Sequence, residues 1–520
     1  MTENQTTAMW GETNPVLPGF YPDPSVCRVD GDDGTWFYLV NSTFEYLPGL
    51  PVHRSRDLLS WELIGHVIDR PGQINLSTVR DSGGLFAPTI RHDGTRFLVV
   101  CTLVGGAEGA SGNFVVTAEN AAGPWSDPIW WDMDGIDPSI MIEPDGSMWA
   151  HGTRLAPLPE WAQQTEVWVR RLDNETLVPD TEETIVWSGA LRGAIWSEGP
   201  HLLRRNGFVY LLAAEGGTSF HHAIVVARAE SPLGPFVGNP ANPVLTHRNL
   251  GRATPVTNVG HADLVEAQDG SWWAVCLATR AWDSCDLLGR ETFLVPVTWE
   301  NDWPVFAPGE GQLPQNPKGL QGLTGQEHLP FDSPDNPAAT GGEDVIAVRR
   351  HPSEIVTETG VSGTFRLQAG NDLTDSRPAF VARRLASLST RVQIRLVDAS
   401  YGVRAGLALR YSSTAFVAVT VGGGTLSIDT VSGDASVVST HAPRLTLPQG
   451  TGKGVLAFEV HGTSAVAIWE PDDGGSVRSD VLDISHLCAE KNGGFVGVTY
   501  GALAVGDSGS ADFADLQGGL

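Results

Sequence analysis

The chain has 520 residues, enough for two to four domains of ordinary size, and no apolar run of about 18 residues that would span a bilayer. A net charge of −28 repels phosphate backbones and anionic lipids, so nucleic-acid and membrane partners are not expected, and the charge is otherwise read as solubility. The five cysteines (27, 101, 276, 285 and 488) include no Cys-x-x-Cys pair, and the N-terminus has no basic-then-apolar leader, so we expect neither a disulfide framework nor a zinc site, and a cytoplasmic location.

The predicted elements are strands. "DDGTWFYLV" (32–40), "HDGTRFLVV" (92–100), "PDGSMWAHG" (144–152), "RNGFVYLLA" (205–213) and "QDGSWWAVC" (268–276) each open on a turn dipeptide and continue as an apolar strand. Asp-Gly or Asn-Gly ahead of such a run marks a hairpin, because the turn needs positive φ. The glycines at 34, 94, 146, 207 and 270 are separated by 60, 52, 61 and 63 residues. "AENAAGPWSDPIW" (118–130) and "AESPLGPFVGNP" (229–240) echo each other at about two such periods. This predicts an all-β repeat fold, a five-bladed β-propeller, over a sandwich with chance Asp-Gly turns.

We place the propeller at 1–310 and a Pro/Gly-rich connection at 311–340, beginning within "FAPGEGQLPQNPKG". A C-terminal β-sandwich (jelly-roll-like) domain is placed at 341–520, where "VRAGLALRY", "AFVAVTV" and "TLSIDTV" alternate as strands. Sixteen of the 17 tryptophans precede residue 310, which favours a binding site in the propeller.

Three carboxylates stand in turns bounded by glycine or proline: Asp23 in "FYPDPS", Asp137 in "GIDPSI" and Glu198 in "AIWSEGPHL". Asp-Pro also opens ordinary turns, so one such motif alone says little. Their spacing puts the three acids on different blades, whose innermost strands converge at their starts. Like charges raise each other's pKa, so such a cluster costs energy and is usually kept for chemistry. Two carboxyl groups across a scissile bond are the machinery of glycoside hydrolysis, and a third can hold the donor protonated.

These segments resemble glycoside hydrolase family 43, in particular its two-domain β-xylosidases. "NPVLPGFYPDPS", "NSTFEYLPGLPVHRSRDLLSWELIGHVIDR", "GIDPS", "SEGPH", "VGHADLVE" and "LGRET" carry the resemblance, over almost the whole chain. It implies Asp23 as general base, Glu198 as general acid and Asp137 as the residue that tunes and orients the donor. It further implies substrate contacts from Arg290 and His261, with Phe44 and Phe86 as aromatic walls; Phe86 stands where the family often has Trp. The pair His221–His222 is not spaced for a metal and is read as lining.

The family inverts, which implies base and acid about 6.5–9.5 Å apart, with room for a water. The activity implied is exo-release of xylose from the non-reducing end of short β-1,4-xylo-oligosaccharides, with α-L-arabinofuranosidase or dual activity as the alternative. A non-catalytic carbohydrate-binding propeller is the remote alternative. No cofactor is required; a structural calcium near His261 occurs in some members, and a homo-oligomer is left open. The appended domain is expected to lend the site a loop, for which "TYGALAVGDSGSADF" (499–513) is the candidate.

Overall fold

The computed structural model describes residues 13–107, 111–190, 193–318, 344–433, 438–440, 445–446 and 452–519. Five four-stranded antiparallel sheets follow one another along the chain. Their innermost strands are Ser25–Gly31, Gly84–His92, Ile136–Ile142, Glu198–Arg205 and Val256–Glu266, opening blades I to V. Each predicted turn joins the first strand of a blade to its second, and all five glycines take positive φ, between 81° and 104°. The fold expected from the repeat is therefore the fold found.

Five apolar clusters fill the gaps between neighbouring blades. The one between blades V and I closes the ring: Val16, Leu17 and Tyr21 pack there with Phe37, Leu39, Trp273 and Leu294. The N-terminal segment is clipped to blade V by Val16 N–H donating to Thr292 O at 2.9 Å and by mutual Leu17–Thr292 hydrogen bonds. The ends of a propeller otherwise expose sheet edges, and this pairing removes them.

The C-terminal domain is a sandwich of a nine-stranded and an eight-stranded antiparallel sheet. Most of the 311–340 connection lies outside the described residues. The two domains share one core, in which Phe20, Phe44, Tyr46, Trp282, Leu287 and Leu288 of the propeller join the sandwich interior. A two-residue strand of the propeller, Tyr46–Leu47, pairs with Ile346–Val348 at the edge of the nine-stranded sheet. Fully buried Arg410 donates to the Tyr46 hydroxyl at 2.9 Å, and Asp81 accepts from Arg349 at 2.6 Å and Arg410 at 3.2 Å. The stretch 499–513 is not a loop over the site: Thr499–Val505 and Ser510–Gly519 are strands of the two different sheets. Its alternating apolar residues are drawn into the sandwich core, where Leu503 and Phe513 are buried.

Candidate active site

The three acids meet because of one repeated backbone irregularity. Near the start of each innermost strand one equivalent position takes positive φ: Asp23 (53°), Ala87 (31°), Asp137 (54°), Gly199 (53°) and His261 (45°), with Gly84 and Asn258 doing so in addition. In blades II to V the pairing register to the next strand breaks at this point. Bulges of this kind re-aim side chains and concentrate at functional sites. The sequence marks them as Asp-Pro-Ser, Ala-Pro-Thr, Asp-Pro-Ser, Gly-Pro-His and His-Ala-Asp. Glu198 sits one residue before its blade's bulge. A side chain on Gly199 would place its Cβ 2.7 Å from the His261 ring, so position 199 admits only glycine.

Asp23 is buried and doubly held. Its Oδ2 accepts from the Ser42 hydroxyl at 2.6 Å and its Oδ1 from Arg290 Nη1 at 3.0 Å. His261 Nδ1 lies 3.7 Å from the same Oδ1. Burial alone would push this carboxyl up; the Arg290 guanidinium, then His261 and the Ser42 hydroxyl, outweigh it and hold Asp23 below its ordinary value.

The other two acids are pushed the opposite way. Glu198 is half-buried, and among the described residues no hydrogen-bond donor reaches its carboxyl. Burial first, then the charges of Asp137 and Asp23, raise it well above the ordinary glutamate value against the pull of Arg290. Asp137 Oδ2 accepts the Gly199 N–H at 2.9 Å. Burial, then Asp23, raise it to about 6, opposed by His261, the Gly199 N–H and Arg290. Within one cluster Asp23 is thus pushed down while Glu198 and Asp137 are pushed up.

Arg290 opens its strand beneath an aromatic cluster. Phe44 and Phe86 pack edge to face with centroids 5.2 Å apart, and both touch Phe495, at 5.8 and 5.6 Å. The Arg290 guanidinium lies 5.6 Å from the Phe44 ring and 5.3 Å from that of Phe495. Phe495 belongs to the sandwich, so the second domain does reach the site, but through "NGGFVG" (492–497) rather than 499–513. The only signal for it was an aromatic residue set between glycines. Ser42, two residues before Phe44, was likewise not singled out.

A further polar network was missed although the sequence carries it. Two residues after the bulge positions stand Ser25, Thr89, Ser139, His201 and Asp263. Asp263 accepts from the Ser25 hydroxyl at 2.7 Å and from both terminal nitrogens of Arg91 at 2.8 and 3.2 Å. Arg91 Nη2 also lies 3.3 Å from His201 Nδ1, which is 3.1 Å from the Ser139 hydroxyl. This links all five blades below the acids. Burial pushes His201 down to about 3, while burial of Asp263 is outweighed by the Arg91 guanidinium, helped by the Ser25 hydroxyl, which holds it down at about 2.

The remaining expectations find their places. His222 is buried, its Nδ1 2.9 Å from Asn258 O, packed where a Cβ on Gly260 would lie 2.3 Å from the ring; His221 is exposed. No side-chain cage for calcium surrounds His261. Among the described residues it belongs to no group of three His, Cys, Asp or Glu ligand atoms within 4.8 Å of one another, and its acidic neighbour Asp23 is engaged by Arg290 and Ser42. Calcium takes six to eight oxygen ligands, so these side chains do not fit such an ion. Among the described residues no helix is long and apolar enough to cross a membrane.

Known proteins resemble this chain in sequence and in fold. Residues 12–304 match the family model described as glycosyl hydrolases family 43, and residues 347–517 that of the β-xylosidase C-terminal concanavalin A-like domain. The chain is 35% identical over 517 residues to a xylosidase/arabinosidase of Butyrivibrio fibrisolvens, covering 96% of each. It is 41% identical over 408 residues to a non-reducing end α-L-arabinofuranosidase of Bacteroides ovatus, covering 76% of this chain and 73% of that protein. Its fold superposes on a xylan β-1,4-xylosidase of Bacillus halodurans with a TM-score of 0.85 at 26% identity, over 98% of this chain and all of that one. The chain belongs to glycosyl hydrolase family 43 and is a glycoside hydrolase.

Proposed function

We propose that the enzyme is an inverting exo-β-xylosidase that removes xylose from the non-reducing end of short β-1,4-xylo-oligosaccharides. Asp23 is the general base, Glu198 the general acid and Asp137 the residue that tunes and orients the acid. The observation that carries this reading is the contrast between Asp23, gripped by Arg290 and the Ser42 hydroxyl, and Glu198, which no donor among the described residues engages and whose neighbouring Gly199 N–H is held by Asp137.

Asp23, ionised, takes a proton from a water as that water attacks the anomeric carbon. Glu198, protonated and free of competing hydrogen bonds, gives its proton to the departing glycosidic oxygen. The charges of Asp137 and Asp23 keep the proton on Glu198 until the departing oxygen, gaining negative charge as the bond breaks, takes it. Arg290 holds the base ionised and, with Phe44 and Phe86, faces the sugar. His261 braces Asp23 and, packed on Gly199, the backbone of the donor. Phe495 of the sandwich caps the aromatic wall, as closing one end of a site to all but a terminal sugar requires.

An α-L-arabinofuranosidase, alone or with xylosidase activity, is the second reading. It is favoured by the names of the Butyrivibrio and Bacteroides relatives. Parallel assays on 4-nitrophenyl β-D-xylopyranoside and α-L-arabinofuranoside, followed by the sugar released from mixed arabinoxylo-oligosaccharides, separate the two. Release of neither sugar would overturn both.

A further inference from the structure

Four hydrogen bonds run in sequence from the domain border to the proposed base. Glu45 Oε2 accepts from Ser82 N–H at 3.0 Å. The Ser82 hydroxyl accepts from Phe495 N–H at 3.0 Å. The Phe495 carbonyl accepts from Arg290 Nη2 at 3.5 Å, and Arg290 Nη1 donates to Asp23 Oδ1 at 3.0 Å. The path leaves the propeller at Ser82, passes through the sandwich at Phe495 and returns at Arg290.

Resting on the proposed role of Asp23, we infer that Ser82 is a positioning residue: through the Phe495 backbone it fixes the Arg290 guanidinium on the base, with Glu45 anchoring Ser82 in turn. Arg290 itself supplies the first reason. Its Nε is buried without a hydrogen-bond partner, so its orientation rests on Asp23, the Phe495 carbonyl and the flanking rings. A buried guanidinium held at so few points can swing when one of them moves.

Ser82 is built into its position. It takes φ of 56°, and a Cβ on Gly494 would lie 2.4 Å from its Oγ, so Gly494 is what lets the sandwich segment come this close. The preceding residue, Asp81, is locked to the sandwich by Arg349, Arg410 and by Ser413, whose N–H and hydroxyl donate at 2.9 and 2.6 Å. Glu45 is wholly buried and faces Arg410, Asp81 and Arg349. Ser82 thus stands between a fixed interface and a catalytic arginine, the place from which a small displacement reaches the base.

The test is Ser82→Ala in the full chain, compared with the wild type on xylobiose across pH. Loss of the hydroxyl frees Phe495 N–H and slackens Arg290, so burial raises Asp23 with less opposition. The acid limb of kcat/KM should move up by about one unit and kcat/KM at neutral pH should fall about tenfold, with an unchanged thermal midpoint. Glu45→Gln keeps an acceptor for Ser82 N–H and should hold the wild-type limb, whereas Glu45→Ala should shift the limb as Ser82→Ala does, with a lower thermal midpoint because a wholly buried side chain is truncated. A loss of activity that tracks a fall in thermal midpoint while the limb stays in place would make the role merely structural and overturn the inference. So would a limb and turnover identical to wild type. Carboxyl ¹³C NMR titration of Asp23 in the two proteins reads the same shift without substrate. A wild type inactive on every glycoside would therefore sink the proposed function while the link from Ser82 to Asp23 was still decided.

Discussion

The Gly199 N–H donates to Asp137 Oδ2 at 2.9 Å, which ties the middle acid to the residue directly after Glu198. Charge on Asp137 is thereby delivered next to the proposed donor without Asp137 having to touch substrate.

Asp137→Asn isolates that charge. The Asn carbonyl can still accept from Gly199, so geometry is kept while the negative charge is lost. Glu198, raised by burial and then by Asp137, should drop, and the basic limb of kcat/KM should shift to lower pH by about one unit. A pH–rate profile checks the sign. A basic limb that stays in place or moves upward would remove Asp137 from the tuning role.

Asp23→Asn should lower kcat by about 10²–10⁴, the usual worth of a general base. An acid in an anionic cluster would be expected to cost stability, but Asp23 is paired with Arg290 in a buried site. Breaking a buried pair costs about 3–5 kcal/mol. Asn keeps an acceptor for Arg290 and can donate its amide to the Ser42 hydroxyl oxygen, so it should be the milder change; Asp23→Ala should unfold at a clearly lower temperature. Kinetics and thermal melts on both variants separate the chemistry from the folding.

Glu198→Gln should be selective for the leaving group. Xylobiose, whose departing oxygen needs a proton, should suffer more than an activated aryl xyloside, whose phenolate leaves nearly unaided. The ratio of the two kcat/KM losses is the readout, and equal losses would take the acid role away from Glu198.

The propeller and its three acids were legible in the sequence because both depend on local chemistry. A turn that needs positive φ announces itself as Asp-Gly or Asn-Gly, and a bulge announces itself as Asp-Pro or Glu-Gly-Pro. The same positions also marked the network of Ser25, Ser139, His201 and Asp263, two residues after each bulge, once the blades are laid in register. Ser42 and Phe495 were not legible. Each acts through a single contact to a residue far along the chain, and such contacts follow from how elements pack rather than from any local pattern. The stretch 499–513 misled for a related reason: glycines that look like a flexible loop are the close-packed residues of strands, as at Gly501, where a Cβ would lie 2.0 Å from Val381 O.

The sandwich should be indispensable. Ending the chain at residue 335 removes the partner of Tyr46–Leu47, uncovers Phe20, Phe44, Trp282, Leu287 and Leu288, and leaves Asp81 without Arg349 and Arg410. Residues 1–335 expressed alone should aggregate, because a large apolar face meets water. Any soluble fraction should hydrolyse xylobiose poorly, since Phe495 is gone. A soluble fragment with full kcat/KM would show that the propeller closes its own site.

The most direct test of the central claim, that Asp23 activates a water while Glu198 protonates the leaving group, is the configuration of the first sugar released. Proton NMR in the opening minutes of hydrolysis of a β-xyloside, before mutarotation, reads the anomer. One displacement by water predicts α-xylose as the initial product. Initial β-xylose would mean two displacements and a covalent intermediate, and would contradict the assignment of Asp23 as a base.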